Sequence, residues 1–386
     1  MRVYLDHNAT TQTHPEAVKA LIPYYETYFG NASSIHRFGR EAKKALEEAR
    51  GNVASLIGAK SPDEIVFTSG GTESDNYAIK GVARALKDKG NHIITSSIEH
   101  PAVEKPCRFL EKNGFTVTYL PVDQYGVVDP EVLKKAITDK TILITVMYAN
   151  NEVGTIEPIK EIAKIAKEKG ITVHTDSVQA IGKIPVDVQD LGVDLASMSA
   201  HKFYGPKGVG ALYIKKGTKI TPTQLGGHHE KNRRAGTENV PGIVGMGKAA
   251  QIVARMMKDE FARIKTLRDR LHKGIEGSVK ETRLNGHPDK RLPNTLNISF
   301  EYLEGESIIL NLDMEGVSAS TGSACTSGSL EPSHVLTAME VPVVSAQGSI
   351  RFSLGMINTD GDIDYLLEKL PPIIERLREM SPLYEG

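Results

Sequence analysis

Between residues 61 and 216 the sequence alternates short β-branched runs with stretches of helical period, and no other feature constrains the fold as strongly. The runs occupy residues 64–68, 92–96, 116–120, 141–148, 172–175, 195–199 and 210–214. Strands that alternate with helical stretches read as a mainly parallel seven-stranded sheet carrying crossover helices on its faces. One such stretch shows the logic: Ile159, Ile162, Ala163 and Ala166 recur at helical spacing, and Gly170 closes the pattern with a left-handed cap. After Gly242 the pattern changes to a long charged helical stretch running to about Lys280, then an apolar run at 295–300, and a last helix within 362–380. This predicts a smaller α+β domain. No Pro/Gly/Ser-rich linker intervenes, so the boundary falls at the start of the long helix or inside it. The expected organisation is α/β, with a large domain over 15–255 and a small one built from 1–14 and 256–386.

Composition removes several classes of function. In 386 residues, 47 Lys and Arg balance 48 Asp and Glu, which excludes a generally basic nucleic-acid binder. The longest apolar runs, such as 141–149, fall far short of the ~18 residues of a membrane helix, and no secretory apolar segment follows Met1. The expectation is a cytoplasmic protein with neither membrane nor nucleic-acid partner. The 2 cysteines, Cys107 and Cys325, allow no disulfide framework and no Cys-rich zinc site, so each thiol is read singly. His228-His229-Glu230 lacks a second histidine at helical spacing, and no metal site is expected.

Three strand ends carry the chemistry. The run at 65–68 enters Ser69-Gly70-Gly71-Thr72-Glu73-Ser74-Asp75-Asn76 and then a helical pattern. Glycines at a strand-to-helix turn let backbone N–H groups reach an anion, and the helix dipole favours phosphate there. Asp176 follows directly on a run expected to be central in the sheet, where ligands sit beyond the carboxyl ends of strands. Alone it could equally cap a helix. Lys202, in Ser199-Ala200-His201-Lys202, stands where another strand breaks into a Gly/Pro loop. A lone lysine is ordinarily a solvated surface group. A phosphate cradle, a strand-end carboxylate and a strand-end lysine on one sheet are together what pyridoxal 5'-phosphate requires: an anion site, a partner for the pyridine nitrogen and an amine for the aldehyde.

The segments 4–11, 69–76, 199–202, Arg234-Ala235-Gly236-Thr237 and Ser323-Ala324-Cys325-Thr326-Ser327 resemble, in this order, those of cysteine desulfurases of the NifS/IscS kind. That resemblance implies the aspartate-aminotransferase-like fold type I, a homodimer, and conversion of L-cysteine to L-alanine with the sulfur left on the enzyme as a persulfide. It implies that Lys202 forms the Schiff base and removes the substrate's α-proton, Asp176 meets the pyridine nitrogen, and His100 stacks on the cofactor ring. Asn151 and Gln179 would lie near the cofactor hydroxyl; Gly71, Thr72, Ser199 and His201 would bind the phosphate; Thr237 would reach it from the neighbouring subunit. Arg351 alternates with Ile350 and Phe352 on an apolar run, and its guanidinium suits an α-carboxylate. Asn31 and His36 match a further segment near the substrate.

Cys325 lies in a small, polar stretch that cannot pack as core, which predicts an exposed thiol, whereas Cys107 shares a helical face with Val103 and Leu110 and reads as buried. Cys325 is therefore the expected sulfur acceptor. An Fe–S scaffold or another sulfur-acceptor protein would follow, feeding Fe–S cluster assembly and tRNA thiolation. Many members of the family carry a longer C-terminal tail that meets the scaffold, and the present sequence stops at Gly386. The runner-up readings are a selenocysteine lyase or another fold-type-I lyase or aminotransferase, a dinucleotide-dependent oxidoreductase, for which no Gly-x-Gly-x-x-Gly turn is present, and a non-catalytic scaffold or binding protein built on this fold, against which Lys202, Asp176, Arg351 and Cys325 speak.

Overall fold

A computed structural model describes residues 1–321 and 332–384; Cys325 lies outside the described residues. All seven expected strands form and join one sheet: β1 (Ile65–Thr68), β2 (His92–Ser96), β3 (Thr116–Leu120), β4 (Thr141–Thr145), β5 (Thr172–Asp176), β6 (Leu195–Ser199) and β7 (Gly210–Ile214). Their spatial order is β1-β7-β6-β5-β4-β2-β3, with β5 in the middle. Only β7 runs antiparallel to its neighbours. The mainly parallel sheet explains why β4 and β6 are buried along their whole length rather than alternating, because helices cover both faces.

Two expected boundaries shift for local reasons. Residue 64 is not in β1, because the Glu64 carboxylate reaches back to the Ser61 N–H while the Ser61 side chain caps the same turn. The apolar run at 141–148 stops being a strand at Thr145, since Glu99 Oε1 takes the Met147 N–H at 2.9 Å and the Asp176 carbonyl takes that of Tyr148.

The helices bury the faces their spacing dictates. In Ile159–Glu168 the buried residues are Ile159, Ile162, Ala163 and Ala166, and Gly170 follows at φ 65°, in the left-handed region. In Pro101–Glu111, Val103, Cys107 and Leu110 face the core, so Cys107 is the buried cysteine its pattern predicts. Each aliphatic side chain taken fully from water on these faces contributes about 1.5–3 kcal/mol.

The long helix is observed at Val240–Ser278. Its Val240, Ile243, Met246 and Val253 pack into the core beneath the large sheet, whereas Ile264, Leu267, Leu271 and Ile275 belong to a second core. That second core also holds Val3, Leu5, Ile350, Phe352 and the last helix, Asp360–Glu379. It is built on a three-stranded antiparallel sheet, β8 (Thr282–Asn285), β9 (Thr295–Phe300) and β10 (Ser349–Ser353), with β9 in the centre. One helix thus threads two cores.

Candidate active site

A cleft of about 210 Å³ opens where the loops leave the carboxyl ends of β1, β2, β4, β5 and β6. A larger hollow of about 600 Å³ lies at the other end of the sheet, among Thr141, Thr172 and the exposed lysines after β7. It gathers none of the candidate residues. Parallel sheets bind ligands beyond their carboxyl ends, so position and chemistry favour the smaller cleft over the roomier hollow.

After β1 the chain turns at Gly70 into the helix Gly71–Leu86. The turn can sit this close to β7 only because Gly210 has no side chain; a Cβ there would approach Gly70 Cα to 2.6 Å. Gly71 and Thr72 line the cleft at this helix N-terminus, whose first N–H groups have no acceptor within the helix. Glu73 steadies the turn by accepting from the Ser69 N–H at 2.7 Å and from the guanidinium of Arg234 at 2.8 and 3.1 Å.

The other walls come from the neighbouring strand ends. Asp176 ends the central strand, is 6% exposed, and accepts the Val178 N–H at 2.9 Å. Burial raises its carboxyl from 3.8 to about 6, against the opposing pull of the Lys202 charge. Lys202 follows β6 in a short 3₁₀ turn, and its Nζ donates to the backbone carbonyls of Asn8 at 2.5 Å and Ala9 at 2.7 Å. His201 Nδ1 pairs with Thr10 Oγ1 at 3.1 Å, and burial together with Lys202 lowers its pKa to about 4. His100 Nδ1 accepts the Ala102 N–H at 3.1 Å, capping the helix that follows. Burial, then the charges of Lys202 and His334, brings His100 to about 4 as well, so both imidazoles are neutral at pH 7.

Gly71, Thr72, His100, Asn151, Asp176, Gln179, Ser199, His201 and Lys202 all line this one cleft. Arg351, on β10 between Ile350 and Phe352, which are buried in the small core, does not itself line the cleft but contacts Asn151, which does. Its Nη1 donates to the Asn151 carbonyl at 3.0 Å and its Nη2 to Asp6 Oδ1 at 2.8 Å, while Nε has no hydrogen-bond partner among the described residues. Asn31, His36 and Thr237 are exposed and do not line the cleft. Asn31 Oδ1 accepts the Ser33 N–H and His36 Nδ1 the Gly39 N–H, which are local turn and cap bonds. Cys325, the expected nucleophile, is outside the described residues.

Three residues beyond those expected complete the site. Asp75 lines the cleft; its Oδ1 has no hydrogen-bond partner among the described residues and lies 3.6 Å from His174 Nε2, and burial, together with the charge of Asp176, raises its carboxyl well above the usual range. Asn8 and Lys183 lie behind the cleft lining and hold Gln179 in place. Asn8 O accepts from Gln179 Nε2 at 3.0 Å, and Asn8 Oδ1 accepts from Lys183 Nζ at 2.9 Å. Lys183 also donates to Gln179 Oε1. A lysine inside Ala180-Ile181-Gly182-Lys183-Ile184 is the signal that could have found it, since charge in an apolar run calls for a partner.

The family model for aminotransferase class-V matches residues 3–366. The chain is 60% identical over 380 residues to a cysteine desulfurase IscS of Dictyoglomus turgidum, covering 98% of this chain and 96% of that protein. It is 57% identical over 383 residues to a cysteine desulfurase IscS of Methanosarcina thermophila, covering 99% and 94%. Among solved structures, a NifS-like protein superposes with a TM-score of 0.92 at 41% identity, covering 98% of this chain and 100% of the other.

Proposed function

The chain belongs to the aminotransferase class-V family, and on that premise we propose that it is a pyridoxal-phosphate-dependent cysteine desulfurase, converting L-cysteine to L-alanine and taking the sulfur onto Cys325. The observation that carries the reading is the convergence of Lys202, Asp176 and the helix N-terminus at Gly71 on one cleft. The fit to the cofactor is specific. A lysine amine, a buried carboxylate able to face a ring nitrogen, and unpaired N–H groups suited to phosphate are its three requirements. When bound, pyridoxal phosphate supplies an electron sink conjugated to the substrate's α-carbon.

The protein groups then divide the work. Lys202 holds the cofactor aldehyde and carries the α-proton, a role supported by its place with His100 and Asp176 on the cleft wall. Asp176, as a carboxylate, favours a protonated pyridine nitrogen. His100, neutral at pH 7, would face the cofactor ring from the cleft wall and can accept a proton. Gly71, Thr72, Ser199 and His201 would hold the phosphate, and Asn151 and Gln179 would meet the cofactor hydroxyl. Arg351 takes the α-carboxylate, with Asp6 and the Asn151 carbonyl fixing its fork. The Cys325 thiolate bonds to the substrate sulfur, the C–S electron pair stays with carbon, and protonation of that carbon yields alanine. Asn31 and His36 are assigned to the substrate side on the motif alone.

The two cores support a division into a large domain over 15–255 and a small one from 1–14 and 256–386. A homodimer is the proposed assembly. Phe29 is 68% exposed and Phe38 49%, and their rings lie 5.6 Å apart, an exposed aromatic pair that a partner subunit would cover. Thr237, exposed and away from its own cleft, would then serve the partner's phosphate. No described helix is long and apolar enough to cross a membrane. The proposed setting is the cytoplasm, with an Fe–S scaffold or another sulfur-acceptor protein as recipient and tRNA thiolation as a further outlet.

The test is direct. Purified protein incubated with pyridoxal phosphate should acquire a visible absorbance band that survives gel filtration, and should release alanine when given L-cysteine. Lys202→Ala should lose both. A protein that stays colourless, or that binds the cofactor and releases no alanine, would refute the assignment.

A further inference from the structure

Beneath the cleft, Lys183 is 6% exposed and makes no ion pair with a carboxylate among the described residues. Its Nζ donates to two amide oxygens, Gln179 Oε1 and, at 2.9 Å, Asn8 Oδ1. An amine with N–H groups to give must meet oxygen, so Lys183 sets which way round Gln179 stands and, together with Asn294 Nδ2, which donates to the same Asn8 Oδ1 at 3.0 Å, which way round Asn8 stands. With its oxygen held below, Gln179 turns Nε2 up to the Asn8 carbonyl at 3.0 Å and into the cleft. Asn8, its oxygen likewise held, gives Nδ2 to the Asn151 carbonyl at 3.1 Å and to Thr295 Oγ1 at 2.9 Å. The same Asn8 carbonyl receives Lys202 Nζ at 2.5 Å.

We propose that Lys183 is a positioning residue: it fixes the donor sense of Gln179 and, with Asn294, that of Asn8, so that an N–H of Gln179 faces the cofactor hydroxyl and the Asn8 carbonyl stays against Lys202. The assignment rests on the cleft holding pyridoxal phosphate on Lys202. A buried ammonium is expensive and an apolar side chain of the same length would fill the space, so mere packing does not account for a lysine here. The charged and titratable groups around it are Lys202 and Arg351, and its own charge is felt by His7 and His201. Burial and those two cations favour its neutral form, which still carries two N–H groups, one for each amide oxygen. The arrangement of donors therefore survives loss of the proton.

The test uses the holoenzyme and reads the wavelength and pH midpoint of the bound-cofactor absorbance in wild type, Lys183→Met, Gln179→Leu and the double variant. Loss of a donor to the cofactor hydroxyl, and of any nearby positive charge, both raise the pH at which the nitrogen joining Lys202 to the cofactor gives up its proton. Lys183→Met should therefore raise the midpoint by about one pH unit, within the range of a single neighbouring group. Gln179→Leu should do the same, and the double variant should move no further than the larger single change. A lower melting temperature with an unchanged spectrum and midpoint would overturn the proposal, as would shifts that add. Should Lys183→Met fail to fold, Lys183→Gln keeps an N–H donor and should titrate near wild type while Gln179→Leu does not; equal shifts in these two would overturn it. A wild-type protein without a cofactor band would overturn instead the reading of the cleft.

Discussion

Replacing Asp176 by asparagine exchanges a buried acid for a neutral amide of nearly the same shape, and its sign differs between the cofactor-free and loaded protein. Burial raises the Asp176 carboxyl from 3.8 to about 6 in the folded chain. Between these values the folded state keeps a proton that the unfolded state has lost, so stability falls as pH rises through the window. At about 1.4 kcal/mol per unit, the full penalty above pH 6 is about 3 kcal/mol. The amide of the Asp176→Asn variant has no proton to lose, and its carbonyl oxygen can still accept the Val178 N–H that Asp176 accepts at 2.9 Å. The cofactor-free variant should thus match wild type near pH 4 and exceed it by about 3 kcal/mol at pH 8. Urea denaturation of both proteins from pH 4 to pH 8 measures this; the difference also contains the release of Asp75 from the Asp176 charge, which has the same sign. In the loaded enzyme the order reverses for function, because a neutral amide no longer favours a protonated pyridine nitrogen; alanine formation should fall by about two orders of magnitude or more. A cofactor-free variant less stable than wild type at pH 8, or a difference that does not grow between pH 4 and 6, would refute the reasoning.

Other outcomes follow from the same geometry. Arg351→Lys keeps the charge but loses the fork that meets Asp6 and the Asn151 carbonyl, so KM for L-cysteine should rise about tenfold or more while the cofactor spectrum stays unchanged; an unaltered KM would place the α-carboxylate elsewhere. Cys107 is fully buried and burial pushes its thiol up, so iodoacetamide at pH 8 should leave it unlabelled in the folded protein, as peptide mass spectrometry would show. Phe29→Asp puts a charge on the exposed aromatic face and should yield monomers in light scattering, with a dimer of wild-type stability as the contrary result.

Much of this was legible in the sequence, for physical reasons that also mark where legibility ends. Strands buried between two layers of helices are rich in apolar and β-branched residues, so β1, β2 and β4 to β7 stand out, and β3, which is only partly buried, shows through its own β-branched run. The end of β4 did not, because the capture of the Met147 N–H by Glu99 and of the Tyr148 N–H by the Asp176 carbonyl are tertiary events invisible to periodicity. Asp176 and Lys202 were readable because one ends a strand and the other lies within a turn of a strand's end, where the topology brings them to the crevice. Lys183 and Asn8 were not, since their use depends on hydrogen bonds across 175 residues of chain. Asn31, His36 and Thr237 were named from motif alone, and they lie exposed, outside the cleft of their own chain.

The central claim is that Cys325 takes the sulfur, and mass spectrometry of the protein after treatment with L-cysteine in the absence of reductant tests it most directly. The account predicts one added sulfur atom on the peptide containing Cys325, none on that containing Cys107, and alanine released in step. Alanine formed with the Cys325 peptide unmodified would contradict it.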